Sequence, residues 1–173
     1  ILNDYKDIKS DQKHPKKKNR PLASGLVDKN LALSLMIILL IAGFLLMSTV
    51  SMNSLIVLCA YVILNISYSF KLKQIALLDV TIIATGFVLR LFAGSFAYDV
   101  QLKIWIVIMT FLLALFMALA KRRDDILILS KTGKKMRKSI DGYNLPLIDS
   151  TMLIMSAVVI VAYIQYSTSQ EII

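Results

Sequence analysis

Residues 31–50 read LALSLMIILLIAGFLLMSTV, twenty positions without a single charge. A helix of that length rises about 30 Å at 1.5 Å per residue, which is the thickness of a bilayer's hydrocarbon core. Working outward, four further apolar stretches are long enough to cross the same distance: 54–70, 75–98, 104–120 and 147–166. The whole chain agrees with its parts. Of its 173 residues 57% are hydrophobic, and a mean hydropathy of +0.70 is too high for a soluble domain of this size. The reading is an all-α, multi-span transmembrane helical bundle with about five complete spans, residues 1–173 forming a single membrane domain.

No stretch has the charged flank, short apolar core and small-residue cleavage site of a signal peptide. The chain opens at Ile1 on a polar segment that reads as the tail of an earlier span, so it is expected to be an internal piece of a larger domain. Lone Cys59 cannot make an intramolecular disulfide, and lone His14 cannot build a histidine-based metal site. Of the 20 Lys and Arg, 18 fall in 6–29, 71–73 and 121–138, alternating with nearly uncharged connections around Met52 and Val100. That asymmetry puts the three basic segments on the cytoplasmic face of the membrane. A formal charge of +9 concentrated there also attracts anionic lipid. Nucleic acid is not an expected partner, because the charge sits in short loops between spans and no recognition module accompanies it.

Before the first span lies ILNDYKDIKSDQKHPKKKNRPLASG, residues 1–25. On a helix Asn3, Asp4, Asp7 and Asp11 form one oxygen-bearing stripe, and like charges so spaced repel unless something offsets them. Two readings follow. The stripe either pairs with Lys6 and Lys9 on a solvated helix or holds a divalent cation. A helix–loop–helix calcium site is excluded by the spacing and the missing central glycine, whereas Mg2+ needs only a few carboxylates and completes its octahedron with water and phosphate oxygens. Pro15 disfavours helix at His14 and ends the stripe; Lys16, Lys17, Lys18 and Arg20 then run to Pro21 and a Ser24–Gly25 turn. Carboxylates that hold a metal on pyrophosphate, beside cations that neutralise the remaining phosphate charge, suit the departure of a pyrophosphate leaving group.

These residues resemble a known family. Asn3-Asp4-x-x-Asp7-x-x-x-Asp11, followed by His14-Pro15, Arg20-Pro21 and Ser24-Gly25, is similar to the first aspartate-rich motif of the UbiA superfamily of intramembrane prenyltransferases. YSFKLK at 68–73, LDVTIIATGFVLRLFAG at 78–94 and AKRRDD at 120–125 resemble the branch that transfers phosphoribosyl to decaprenyl phosphate, a step in cell-envelope precursor synthesis. The resemblance implies a domain of about nine spans with its site facing the cytoplasm of the cytoplasmic membrane. It implies Mg2+, with Mn2+ as a substitute, held by Asn3, Asp4, Asp7, Asp11 and Asp125. The implied substrates are phosphoribosyl pyrophosphate and a polyprenyl phosphate lipid. Lys17, Arg20, Tyr68, Lys73, Arg90, Lys121, Arg122, Arg137 and Tyr143 would contact them, with Asp7, Asp11 and Lys121 as the catalytic set.

Aromatic prenyltransferases of the family carry a second aspartate pair where this chain has Lys121-Arg122-Arg123-Asp124-Asp125. Extra cations suit a donor bearing a 5-phosphate and an acceptor bearing a phosphate of its own; a positive-inside loop would look the same. Lys73 is the expected phosphate ligand of its turn, while Lys71 can snorkel to the interface. Asp79 and Arg90 lie about 20° apart in azimuth and about 16 Å apart along one helix, so they share a face without pairing. With Gly86 and Gly94 between and beyond them, that face is expected to turn into the bundle. Residues 124–131 read as a separate short helix stopped at Thr132-Gly133. The alternatives are prenyl transfer from a prenyl diphosphate to an aromatic or other small acceptor and, in another class, a transporter or lipid-binding membrane protein.

Overall fold

In a computed structural model the structure describes residues 1–12, 17–133, 135 and 138–168, apart from the side chains of Thr132 and Lys138. His14, Pro15, Lys16 and Arg137, named above, lie outside the described residues. Six α-helices are present among these: α1 (Leu2–Asp11), α2 (Lys29–Val50), α3 (Met52–Phe70), α4 (Leu78–Tyr98), α5 (Ile104–Thr132) and α6 (Leu145–Thr168). All but α1 are long and apolar enough to cross a membrane. Short 3-10 turns at Lys17–Asn19, Leu72–Gln74 and Lys138–Gly142 occupy the charged connections.

Each boundary has a local cause. Asp28 caps α2 by accepting hydrogen bonds from the Asn30 and Leu31 amides at 2.9 and 3.4 Å. A single extended residue, Ser51, then joins α2 to α3. α4 stops at Asp99 in the left-handed region (φ 52), which a short polar side chain tolerates better than most. α5 stops at Gly133 (φ 65), whose amide donates to the Leu129 carbonyl at 2.8 Å. The expected separate helix at 124–131 is therefore corrected: nothing between Ala120 and Thr132 breaks the hydrogen-bond ladder, so one helix of 29 residues runs from the apolar span into the basic segment.

Helices that follow one another in the chain pack together, α2 on α3, α3 on α4, α4 on α5 and α5 on α6, while α1 lies against α2 and α3. Many large apolar side chains face outward, including Leu31, Leu39, Ile41, Leu45 and Leu46 of α2, each more than half exposed. Such a surface suits helices that cross a membrane, where apolar side chains need no water-facing cover. The tightly buried clusters gather near the basic end. Ile8, Leu22 and Ala32 join α1 to its loop and to the start of α2; Val80, Ala118, Leu119, Tyr143 and Ile148 join α4, α5, the 138–143 segment and α6. Both clusters sit directly under charged side chains.

Candidate functional site

The acidic stripe of α1 forms as its spacing requires, and two cations are threaded into it. Lys73, on the 3-10 turn between α3 and α4, donates to Asp7 Oδ1 at 2.5 Å and Asn3 Oδ1 at 3.2 Å. Arg20, from the loop after α1, donates through one nitrogen to Asp4 Oδ1 at 2.6 Å and Asp11 Oδ2 at 3.0 Å. Asp11 is buried beneath that contact, whereas the Asp7 side chain is 30% exposed. Lys6 does not pair with the stripe; its ammonium lies 3.7 Å from the centre of the Phe70 ring. The residues read as phosphate ligands and those read as metal ligands thus neutralise one another.

Among the described residues no three Asp, Glu, His or Cys side chains stand close enough to hold a metal by themselves. Helical spacing divides the stripe into two oxygen pairs, Asn3 with Asp7 and Asp4 with Asp11, each converging on one cationic nitrogen. Two converging oxygens nevertheless fit Mg2+, which takes few protein ligands and draws the rest from phosphate and water. Lys73 Nζ marks a point where such a pair already holds positive charge. Asp125, expected in the metal set, stands apart from these pairs and accepts from Arg122 Nη1 at 2.8 Å, one turn away on α5.

A second constellation is fully internal. Asp79, at the start of α4 and 0% exposed, receives Arg122 Nε at 2.7 Å and Ser139 Oγ at 3.0 Å on Oδ2, and the Tyr143 hydroxyl at 2.5 Å on Oδ1. Arg122 is 1% exposed. Expected as a phosphate ligand, its guanidinium bonds Asp79 through Nε and Asp125 through Nη1. Tyr143, expected as a substrate contact, has a hydroxyl that donates to Asp79 while accepting from the Leu77 amide at 2.8 Å. Burial, then the hydrogen bond to Asp79, pushes its phenol well above the ordinary range, so the donor proton stays in place.

Arg90 departs from expectation in the opposite sense. It is exposed, bonded to the Tyr61 hydroxyl, and its guanidinium lies 5.0 and 5.1 Å from the Tyr61 and Phe87 ring centres. Burial on one helix face depends on what stands opposite at each height. Opposite Asp79 stand α5 and the 138–143 segment; opposite Arg90 stands Tyr61, at an open apolar groove of about 600 Å³ between α2, α3 and α4. Of the expected small-residue face, Gly86 is buried, with Tyr61 Cε2 3.6 Å from where a Cβ would stand, while Gly94 faces open space. Lys121 is exposed on α5, and Lys17 and Tyr68 are half-buried.

The model of the UbiA prenyltransferase family matches residues 1–170. This chain belongs to that family. Two relatives of the UbiA chain are named decaprenyl-phosphate phosphoribosyltransferase: one from Mycolicibacterium smegmatis, 32% identical over 99% of this chain and 54% of its own length, and one from Corynebacterium glutamicum, 32% identical over 83% of this chain and 44% of its own. The chain spans about half the length of these curated relatives. A solved structure of a UbiA homolog from Archaeoglobus fulgidus, bound to GPP and Mg2+, superposes with a TM-score of 0.77 at 19% identity, covering 94% of this chain and 58% of that one. The fold is the UbiA fold, and five apolar helices within it make this an integral membrane protein.

Asp79, Ser139 and Leu77 escaped the sequence reading as partners of the UbiA site. Asp79 carried a usable signal: an acid flanked by Leu78 and Val80 at the start of a span requires a partner, and Arg122 is a basic residue close to the end of the next apolar run. Ser139 and Leu77 carried none.

Proposed function

We propose that the protein transfers a 5-phosphoribosyl group from phosphoribosyl pyrophosphate to a polyprenyl phosphate in the cytoplasmic membrane, at the cytoplasmic ends of its helices. The observation that carries this reading is the meeting of Asn3, Asp7 and Lys73 within hydrogen-bond distance at the basic end of the bundle. Oxygens able to hold a metal there adjoin a cation able to hold phosphate. The names of relatives that align with 99% and 83% of this chain favour this donor over a prenyl diphosphate.

Asn3 and Asp7, with Asp11 behind them, would hold Mg2+; bound there, the ion supplies charge neutralisation to the pyrophosphate. Lys73 presents an ammonium to the same group and stabilises the negative charge that grows as the ribose C1–O bond to pyrophosphate breaks. Arg20, which spans Asp4 and Asp11, keeps the stripe in register and lends a second cation. A lipid phosphate oxygen forms the new bond to C1, and the bonding pair of the old one leaves with pyrophosphate. That oxygen is already anionic, so no side chain need remove a proton from it. Lys121, exposed on the polar extension of α5, would meet a further phosphate.

The test uses the full-length protein in lipid nanodiscs, given phosphoribosyl pyrophosphate and a polyprenyl phosphate. Pyrophosphate release with a phosphoribosylated lipid, lost on chelation and restored by Mg2+ or Mn2+, is the expected result. Prenylated aromatic product from a prenyl diphosphate and an aromatic acid, with no phosphoribosylated lipid, would overturn it.

A further inference from the structure

Leu77 sits at φ 66 and ψ −44, immediately before α4. A side chain with a Cβ rarely adopts such a backbone, and it persists only where the surroundings over-determine it. Packing of its own side chain does not hold it there, because that side chain is 57% exposed. The hold comes from across the molecule: the Leu77 amide donates to the Tyr143 hydroxyl, which is itself fixed on Asp79. Next to it, Gly142 presses on Ala76 so closely that a Cβ on Gly142 would lie 2.4 Å from the Ala76 Cβ. The segment 138–143 is therefore seated on residues 76–77. Three residues upstream of Ala76 is Lys73, whose ammonium reaches Asn3 and Asp7.

We infer that Tyr143 is a positioning residue: with Gly142 it clamps residues 76–77 in their strained conformation and so holds the Leu72–Gln74 turn where Lys73 meets the α1 oxygens. The clamp links the connection between α5 and α6 to the pyrophosphate end of the site without touching substrate. It rests on the proposed function only in taking Lys73 as a phosphate-binding cation, and its principal test does not depend on catalysis.

That test is the acetylation rate of individual lysines in the full-length protein in nanodiscs, read by mass spectrometry under limiting reagent. Lys73, pinned on Asp7, is expected to react slowly in the wild type, and exposed Lys71 two residues away is the internal reference. In Tyr143→Phe, which keeps the ring and loses the hydroxyl, Lys73 labelling is expected to rise at least fivefold while Lys71 is unchanged. Gly142→Ala, which wedges the two segments apart by a different route, should do the same. Unchanged Lys73 labelling in both variants overturns the clamp, and so does a parallel rise at Lys71, which would report general loosening. A second readout follows donor use: Tyr143→Phe should raise the KM for phosphoribosyl pyrophosphate severalfold more than it lowers kcat. Should the wild type consume no such donor while the labelling result holds, the functional reading fails and the clamp stands.

Discussion

At the scale of single residues, one carboxylate does the most internal work. Asp79 accepts from three donors on two other segments, and removing one member of a buried pair leaves the other charged and unsatisfied. Arg122→Ala is accordingly expected to destabilise the protein by about 3–5 kcal/mol, read as a lowered thermal midpoint in detergent, and not to act chiefly on donor binding. Asp7→Ala differs because its side chain is partly exposed and its partner is a flexible lysine; turnover should vanish with a smaller loss of thermal midpoint than in Arg122→Ala. Leu77→Gly removes strain of about 1–3 kcal/mol against a backbone-entropy cost of about 0.5–1 kcal/mol, so the variant should unfold at a slightly higher temperature. Legibility at this scale was mixed. The α1 stripe follows from a helical period and was readable, whereas the partners of Arg122 and Tyr143 are set by contacts 43 and 64 residues apart in the chain, which no local pattern encodes.

At the scale of elements, the five spans were legible because hydrocarbon thickness fixes a minimum length, and their cores needed only a count of apolar residues. Ends were less so. Composition marks where lipid stops but not where helix stops: α5 continues beyond Ala120 with its ladder unbroken through charged residues until Gly133. The start of α4 shifts the other way, since Ile75, Ala76 and Leu77 are apolar yet lie in the strained approach to the helix. Capping gives a direct check. Asp28→Ala removes the acceptor for two amides and should cost about 0.5–2 kcal/mol, visible as faster hydrogen exchange confined to the first turn of α2.

For the whole molecule, charge sorts the ends of the helices. Basic connections alternate with neutral ones, and the 3-10 turns at Lys17–Asn19, Leu72–Gln74 and Lys138–Gly142 fall in the basic ones. The expected topology is testable by cysteine labelling in a background lacking Cys59: a cysteine at Lys18 or Lys135 should react with an impermeant reagent only after the membrane is opened, and one at Val100 should react in intact cells. The joint between α2 and α3 bears on how the protein can be handled. With Ser51 the only residue between two helices, there is no slack to absorb an inserted epitope, and added residues must either unwind a helix end or drive the pair apart. The stretch from Asp99 to Lys103 belongs to no helix, so on that face of the membrane it is the place where a tag can be spliced in and the protein still assemble.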